Sequence, residues 1–503
     1  MHLDSLFIDC IVILISVFTK YFDHMKAKVP LGLFSCLALV SCTAESRIDG
    51  PPNIVYILAD DLGYGDLSCY GQKKFLTPNI DRLAAEGMLF TQHYAGCTVS
   101  APSRSSLMTG LHTGHTPIRG NKEWNPEGQW PLPDSSVTIA EVLKSRGYVT
   151  GAFGKWGLGF IGTEGDPNNQ GFDEFFGYNC QRLAHNYYPY YLWHNREKIM
   201  LTENEGTTAG TYAPDIIHKK ALDFIDNNHN SPFFLFYPNV IPHAELFAKE
   251  EYMKTFRGKL LPEKEFRGMD SGPNFRLGPY GSQPESHAAF AAMVTQLDNY
   301  VGEITAKLKK LGLEKNTIVM FTSDNGPHLE GGADPDYFDS NGPLKGYKRD
   351  VYEGGIRVPF IVKWPGMVQK GSGSDHISAF WDVLPTLAEV AGADTILNTD
   401  GISFLPELLG KEQKQHEYLY WEFHEQGGRV ALRMGNWKAV KKDIEKLPHG
   451  ETELYDLSSD IGETKNVAPL HPEIVKKADS LLIKARIRSE NFPFSCEVSA
   501  TKQ

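Results

Sequence analysis

Two adjacent carboxylates, Asp60 and Asp61, end an apolar run, Asn53–Ala59 (N-I-V-Y-I-L-A), and are followed by Gly63 and Gly65. Such a run reads as a buried parallel strand, and the C-terminal end of a strand is where open α/β sheets bind ligands. Paired carboxylates beside a buried strand are costly unless a cation neutralises them. A divalent ion with hard oxygen ligands, calcium or magnesium, is the natural neutraliser; a solvated N-cap Asp is the plainer reading of the same pair. Ala95–Gly110 (A-G-C-T-V-S-A-P-S-R-S-S-L-M-T-G) offers a different chemistry. Pro102 suits the first turn of a helix, with Ser103–Thr109 continuing it. The start of that helix presents free N–H groups and a partial positive charge to an anion; a Ser/Pro turn that only caps the helix is the alternative. Two more strand-like runs end on polar residues. Phe233–Tyr237 leads into Val240-Ile241-Pro242-His243, and Thr317–Thr322 leads into Ser323-Asp324-Asn325-Gly326.

The elements that must position these residues alternate. Thr77–Gly87 has a cap, a Pro, apolar spacing and a closing Gly, as a helix should. Helices are expected at Asp134–Gly147, Pro214–Asn227 and His287–Leu311. In the last of these, Phe290, Val294, Leu297, Val301, Ile304, Leu308 and Leu311 recur every three or four residues. Strands are expected at Val149–Phe153 and Phe360–Trp364. Glu245–Gln283 is polar and weakly periodic, an insertion with loops near the mouth of a site. Beyond Gly392–Thr399 the pattern changes: Glu417–Phe423 and Arg429–Lys442 alternate around Gly427-Gly428, Glu453–Leu457 adds a strand, and Pro472–Ile487 is an amphipathic helix. The expected fold is α/β, a large mixed, mostly parallel sheet sandwiched by helices, with a smaller C-terminal α+β subdomain. The expected division is a leader at 1–42, a catalytic domain at 50–395 and a C-terminal subdomain at 396–503.

At 503 residues with a formal net charge of −12, the chain fits a folded body rather than a general nucleic-acid binder. A local cationic pocket can still outweigh distant acidity. Met25-Lys-Ala-Lys, an apolar run Leu31–Val40, and Leu39-Val40-Ser41-Cys42 resemble a bacterial lipoprotein signal, with Cys42 lipidated after cleavage. Met25 is then the expected start and 1–24 an overcalled extension; an ordinary secretory signal is the alternative. Either way the expectation is export to the periplasm or cell surface, with membrane attachment only through Cys42. Of the 7 cysteines, Cys69, Cys97, Cys180 and Cys496 lie outside the leader and show neither zinc nor dense disulfide spacing.

The stretch from Ser100 reads S-x-P-S-R-x-x-L-x-T-G, which resembles the signature of type I sulfatases. The resemblance extends over about residues 50–490, with D-D, S-x-P-S-R, G-K-W, P-H, D-N-G and K-x-x-x-Y-E-G-G in the family's order. It implies an alkaline-phosphatase-like fold and conversion of Ser100 to formylglycine by an oxygen-independent radical maturase. The aldehyde would hydrate to a diol that attacks sulfur. It further implies a Ca2+ (or Mg2+) site built from Asp60, Asp61, Asp324, Asn325 and the residue at 100. Arg104, Lys155, His243 and Lys348 would hold the sulfuryl group. Lys345 is a weaker candidate, and Arg357 a structural ion-pair partner. One departure is evident: the family's G-K-W-H-L-G is here Gly154-Lys155-Trp156-Gly157-Leu158-Gly159. The usual histidine is lost, the general acid is left open, and His185 is a candidate stand-in. His424 and Glu425 are candidates to reach a sugar, or a merely solvated hairpin tip.

The lipoprotein-like leader and the Ser-type motif resemble carbohydrate sulfatases of glycan-foraging bacteria, acting on sulfated oligosaccharides. The G-K-W-G-L-G variant with the downstream Cys180–Pro189 segment (C-Q-R-L-A-H-N-Y-Y-P) resembles those acting on sulfated galactose or N-acetylgalactosamine, with 6-O-sulfate expected before 4-O-sulfate. Two rivals remain at this stage: a phosphate mono- or diesterase of the same superfamily, and a glycan-binding lipoprotein that has lost catalysis.

Overall fold

The computed structural model describes residues 50–124, 127–393, 398–446 and 450–500. The leader, with Met25 and Cys42, lies outside the described residues. The strands in chain order are β1 (Asn53–Ala59), β2 (Met88–Tyr94), β3 (Val149–Lys155), β4 (Glu174–Tyr178), β5 (Tyr191–His194), β6 (Glu197–Met200), β7 (Phe233–Pro238), β8 (Thr317–Ser323), β9 (Arg357–Lys363), β10 (Ser372–Ser374) and β11 (Ser378–Ala379). They form an 11-stranded sheet in the order β10-β2-β9-β8-β1-β7-β3-β4-β5-β6, with β11 beside β2. From β8 through β1, β7 and β3 to β4 every pairing is parallel. β9 runs antiparallel to both β8 and β2, so β2 points the same way as the parallel block. The C-terminal ends of β1, β2, β3, β4, β7 and β8 therefore lie along one edge.

β1 shows why its run is continuously apolar. Val55, Ile57 and Ala59 enter one core, with the helices Ala213–Asn228 and Ser286–Lys310. Ile54, Tyr56 and Leu58 enter the other, with Ile139, Leu143 and Leu384. A strand covered on both faces has no polar side to show. The expected helix at Asp134–Gly147 is shorter, Ile139–Ser145. The Thr138 hydroxyl accepts from the Glu141 N–H and the Glu141 carboxylate accepts from the Thr138 N–H, a capping box that fixes the start at Ile139, five residues late.

A second sheet, β12 (Leu419–Phe423), β13 (Arg429–Met434), β14 (Trp437–Lys442) and β15 (Glu453–Asp456), is antiparallel throughout. The expected single strand Arg429–Lys442 is a hairpin, because Gly435 takes φ 56° and turns the chain before Trp437. The Pro472–Lys484 helix covers one face through Ala478, Leu481 and Leu482. Both sheets belong to one compact body, Ile48–Gln503. Among the described residues no helix is long and apolar enough to cross a membrane, and the four described cysteines are free thiols.

Candidate active site

The common edge gathers the polar residues that end the apolar runs. Asp60 and Asp61 leave β1, and Asp61 takes φ 61°, a conformation that Asp tolerates better than most side chains. The Asp61 N–H donates to Asp324 Oδ1 at 3.1 Å, and Asn325 Nδ2 donates to Asp61 Oδ1 at 2.6 Å. The ends of β1 and β8 are thus locked together. Ser100 opens the helix Ser100–Thr109, all ten residues of which are buried. Its hydroxyl donates to Asp60 Oδ1 at 3.4 Å and receives Lys155 Nζ at 3.3 Å. Lys155, the last residue of β3, also ion-pairs with Asp60 Oδ2. Arg104, one turn into the helix, donates to Asp324 Oδ2 at 3.1 and 2.8 Å and to the Lys155 carbonyl at 2.6 Å.

A second group faces Asp61. Lys348 Nζ lies 2.8 Å from Asp61 Oδ2 and 3.1 Å from His243 Nε2. His243 Nδ1 donates to the Ala244 carbonyl, so in the neutral ring Nε2 is the acceptor for that ammonium. Burial first, then the charges of Lys348 and Lys155, hold His243 well below the usual histidine range. Burial pulls Lys348 down, but Asp61 and Glu330 outweigh it and hold its pKa above the usual lysine range. Lys155 is lowered, by burial against the opposing pull of Asp60. Three stacked rings line this side: His185 on His243 at 5.0 Å, and His243 on His328 at 5.5 Å.

The structure brings Asp60, Asp61, Ser100, Arg104, Lys155, His243, Asp324, Asn325 and Lys348 into one buried cluster. The remaining expected residues are placed as follows. His185 stacks on His243 and donates Nδ1–H to Gly278 O at 2.8 Å. Burial drops its pKa to about 3, so near neutrality it has no extra proton to give. Lys345 faces the small sheet instead, over the Tyr352 ring and 3.0 Å from Glu463 O. Arg357 is the structural partner expected, 3.4 Å from Glu353. His424 stacks on Phe494 and bonds Glu422 at 2.8 Å, which ties it into the fold. Glu425 stays half-exposed, 3.8 Å from Arg349. Cys97 packs in the core beneath, with Sγ 3.3 Å from Glu422 O. Sequence reading missed His328 and Glu330. Glu330 ion-pairs with Arg349, lies 3.3 Å from His328 and 3.9 Å from Lys348, and so fixes the outer side of Lys348. The signal was weak: polar residues simply continue past Asp324-Asn325-Gly326.

The oxygen-rich floor fits a hard divalent cation. Asn325 Oδ1 is buried with no hydrogen-bond partner, beside the Asp60, Asp61 and Asp324 carboxylates, the kind of oxygen donors such an ion takes. Donor atoms of Asp60, Asp61 and His243 lie within 4.8 Å of one another, while Asp324 is engaged by Arg104. His112, His115 and Asp400 also lie close together. There the Gly114 N–H donates to His112 Nδ1, and His115 Nδ1 bonds Asp400 at 2.8 Å, a set already satisfied by the fold.

A nucleophile-sized side chain at a buried helix tip, three acids, and three cations at one edge of a mostly parallel sheet define an ester-hydrolase site for an anionic group. The comparisons give its class. The sulfatase family model matches residues 52–393, and the model for the C-terminal region of N-sulphoglucosamine sulphohydrolase matches residues 346–487. Arylsulfatase A of Homo sapiens is 33% identical, covering 90% of this chain and 90% of its own length. N-acetylgalactosamine-6-O-sulfatase of Bacteroides thetaiotaomicron is 32% identical, covering 87% and 93%. The crystal structure of Ps i-CgsB in complex with k-i-k-neocarrahexaose superimposes with a TM-score of 0.72 at 30% identity, over 86% of this chain and 92% of that one. The chain belongs to the sulfatase family, and it is an enzyme that hydrolyses sulfate esters.

Proposed function

We propose that the chain removes O-sulfate from a sulfated sugar, galactose or N-acetylgalactosamine 6-O-sulfate first and 4-O-sulfate second, using Ser100 after its conversion to formylglycine. The observation that carries this reading is the Ser100 hydroxyl itself, held between Asp60 at 3.4 Å and Lys155 at 3.3 Å at the start of a buried helix. An anion seated there meets helix N–H groups and three cationic side chains. As an aldehyde hydrate, the side chain at 100 supplies one hydroxyl to attack sulfur and a second to expel sulfate. A divalent cation, Ca2+ or Mg2+, would be held by Asp60, Asp61, Asp324, Asn325 and the residue at 100, and would supply charge that lowers a hydroxyl's pKa and orients it.

This chain's own residues do the rest. Arg104 fixes Asp324 and the Lys155 carbonyl. Lys155 and Lys348 offer donors to the non-bridging oxygens, and His243, expected to be a donor itself, instead accepts at Nε2 and positions the Lys348 ammonium. Glu330 holds Lys348 from outside. The sugar preference rests on the N-acetylgalactosamine-6-O-sulfatase relative and on the neocarrahexaose bound in a similar structure.

Mass spectrometry of an active preparation tests the modification, and only unmodified serine at 100 would sink it. A desulfation panel tests the sugar; activity confined to glucosamine or uronic-acid sulfates would overturn that part. Export as a lipoprotein anchored at Cys42, matured at Ser100 by a radical maturase, belongs to the same proposal. Fatty-acid labelling that survives Cys42→Ala would remove the anchor.

A further inference from the structure

β3 and β4 stay paired past their ends. The Trp156 N–H donates to Tyr178 O at 2.9 Å and the Gly157 N–H to Asn179 O at 3.0 Å. Gly157, two residues beyond Lys155, takes φ 75°. A Cβ built there would lie 2.2 Å from Gln181 Nε2 and 3.1 Å from its Cδ. The Gln181 carboxamide therefore fills the space a side chain at 157 would enter. Gln181 is only 8% exposed, and Nε2 is closed off from solvent with no hydrogen-bond partner. Native folds rarely bury an unpaired amide donor without a use for it. The segment is also fixed: the Gln181 N–H donates to Gln129 Oε1 at 3.0 Å, and Gln129 Nε2 to Lys122 O at 3.2 Å.

The position has a direction. On one side stands Lys155, whose ammonium touches Ser100. On the other, Cys180 and Arg182 line a cleft of about 300 Å³ with Trp124, Tyr191 and Lys198. Trp124 is 46% exposed, a flat face of the kind a sugar ring covers. Gln181 links the two: its carboxamide meets Gly157, two residues past Lys155, and its chain neighbours Cys180 and Arg182 line the cleft.

We propose that the Gln181 carboxamide is a substrate-contacting donor, bonding the leaving-alcohol side of the bound sulfate ester. This rests on the sulfuryl placement over Ser100 proposed above. The amide does not titrate, so it stabilises charge on the departing oxygen without delivering a proton.

The test is a series of sulfate esters, aryl and sugar, graded in the acidity of the leaving alcohol, turned over by the full chain. For Gln181→Ala, kcat/KM should fall by about tenfold or more with the least acidic alcohol and by less than about threefold with the most acidic. Thermal stability should hold or rise slightly, since an unpaired buried donor is removed. Gly157→Ala, which pushes a methyl into the carboxamide, should produce the same graded loss, and the double variant should lose no more than either single one. Equal losses along the series, no loss, or a lowered melting temperature that accounts for the loss would overturn the proposal. Ser100→Ala separates the two readings. If it abolishes turnover while Gln181 variants do nothing, only the role of Gln181 falls; if turnover survives it, the site reading falls.

Discussion

Two clusters of buried charge lie in this molecule, and they are put to different ends. At the edge of the large sheet, Asp60, Asp61 and Asp324 face Lys155, Lys348 and Arg104. Between the two sheets, Glu353 and Glu463 face Lys438, Arg433 and Arg357. In the second cluster one lysine is threaded between two glutamates: Lys438 Nζ lies 2.8 Å from Glu353 and 3.7 Å from Glu463. The Glu353 N–H donates to Glu463 at 2.8 Å, and Tyr94 OH donates to Glu353 at 2.5 Å. Partners there come from β2, β13 and β14, so the cluster pins the small sheet to the large one. In the first cluster the cations sit on the carboxylates, yet Asn325 Oδ1 is left unpartnered and a hydroxyl is held at a helix tip. Each network leaves an acceptor without a hydrogen-bond partner, Asn325 Oδ1 in the first and Glu463 Oε1 in the second; what separates them is that the first also holds a hydroxyl at a helix tip, whereas the second ties strands of the two sheets together.

The sharpest way to break this contrast is Ser100→Ala. The Ser100 hydroxyl makes two weak contacts and alanine suits a helix, so stability should stay within about 0.5 kcal/mol. Turnover of a sulfate ester should nevertheless drop by on the order of 10⁴-fold or more, because the nucleophile is gone. Comparable turnover in the variant would make the first cluster as structural as the second. The converse is Lys438→Met, which leaves Glu353 and Glu463 buried without their cation. It should cost about 3–5 kcal/mol in denaturant unfolding, while kcat of the folded fraction is unchanged. A stable, inactive Lys438→Met would show that the interface serves the chemistry.

The same contrast explains what could be read in advance. Asp60, Asp61, Asp324 and His243 follow apolar runs that can only be strands covered on both faces, so their positions along one edge followed from chain order and parallel pairing. Ser100 and Arg104 were legible only through the resemblance of their motif; the structure adds that both lie on one helix, Ser100–Thr109. The interface was opaque, because Arg433 and Lys438 lie inside strands, where alternation marks them as solvent-facing. Only docking against β2 and Glu353 turns that face inward. β2 itself (M-L-F-T-Q-H-Y) was missed, since its residues are polar where they meet the small sheet through Gln92 and Tyr94. Gln181 was invisible for another reason: its meaning depends on the missing Cβ of Gly157, across a gap in sequence that no local pattern spans.

A third prediction sharpens the oxygen-rich side of the comparison. Calcium titrated into the chelated protein should raise its stability by about 2.7 kcal/mol at a hundredfold excess over Kd. Asp60→Asn should diminish the gain, because a neutral amide replaces a carboxylate in the oxygen set. Glu463→Gln should keep it in full. An equal shift in both variants would put the ion elsewhere.

The smallest expected effect concerns the second cluster and its proton. Burial first, then the neighbouring charge of Glu353, hold the Glu463 carboxyl up from 4.5 to about 7, against the pull of Lys438. A folded pKa above the unfolded one means that the folded chain holds the proton more tightly. The stability this confers is therefore complete below about pH 4.5 and is lost as pH rises to about 7. The slope from one such proton is at most about 1.4 kcal/mol per pH unit. Glu463→Gln keeps the hydrogen bond from the Glu353 N–H through the amide oxygen but cannot ionise. It should remove that slope and leave the variant more stable than the parent above pH 7, as read by urea unfolding across pH 4–8. An unchanged slope in Glu463→Gln would move the proton to another group, and a variant destabilised at every pH would mean that Lys438 needs both glutamates charged.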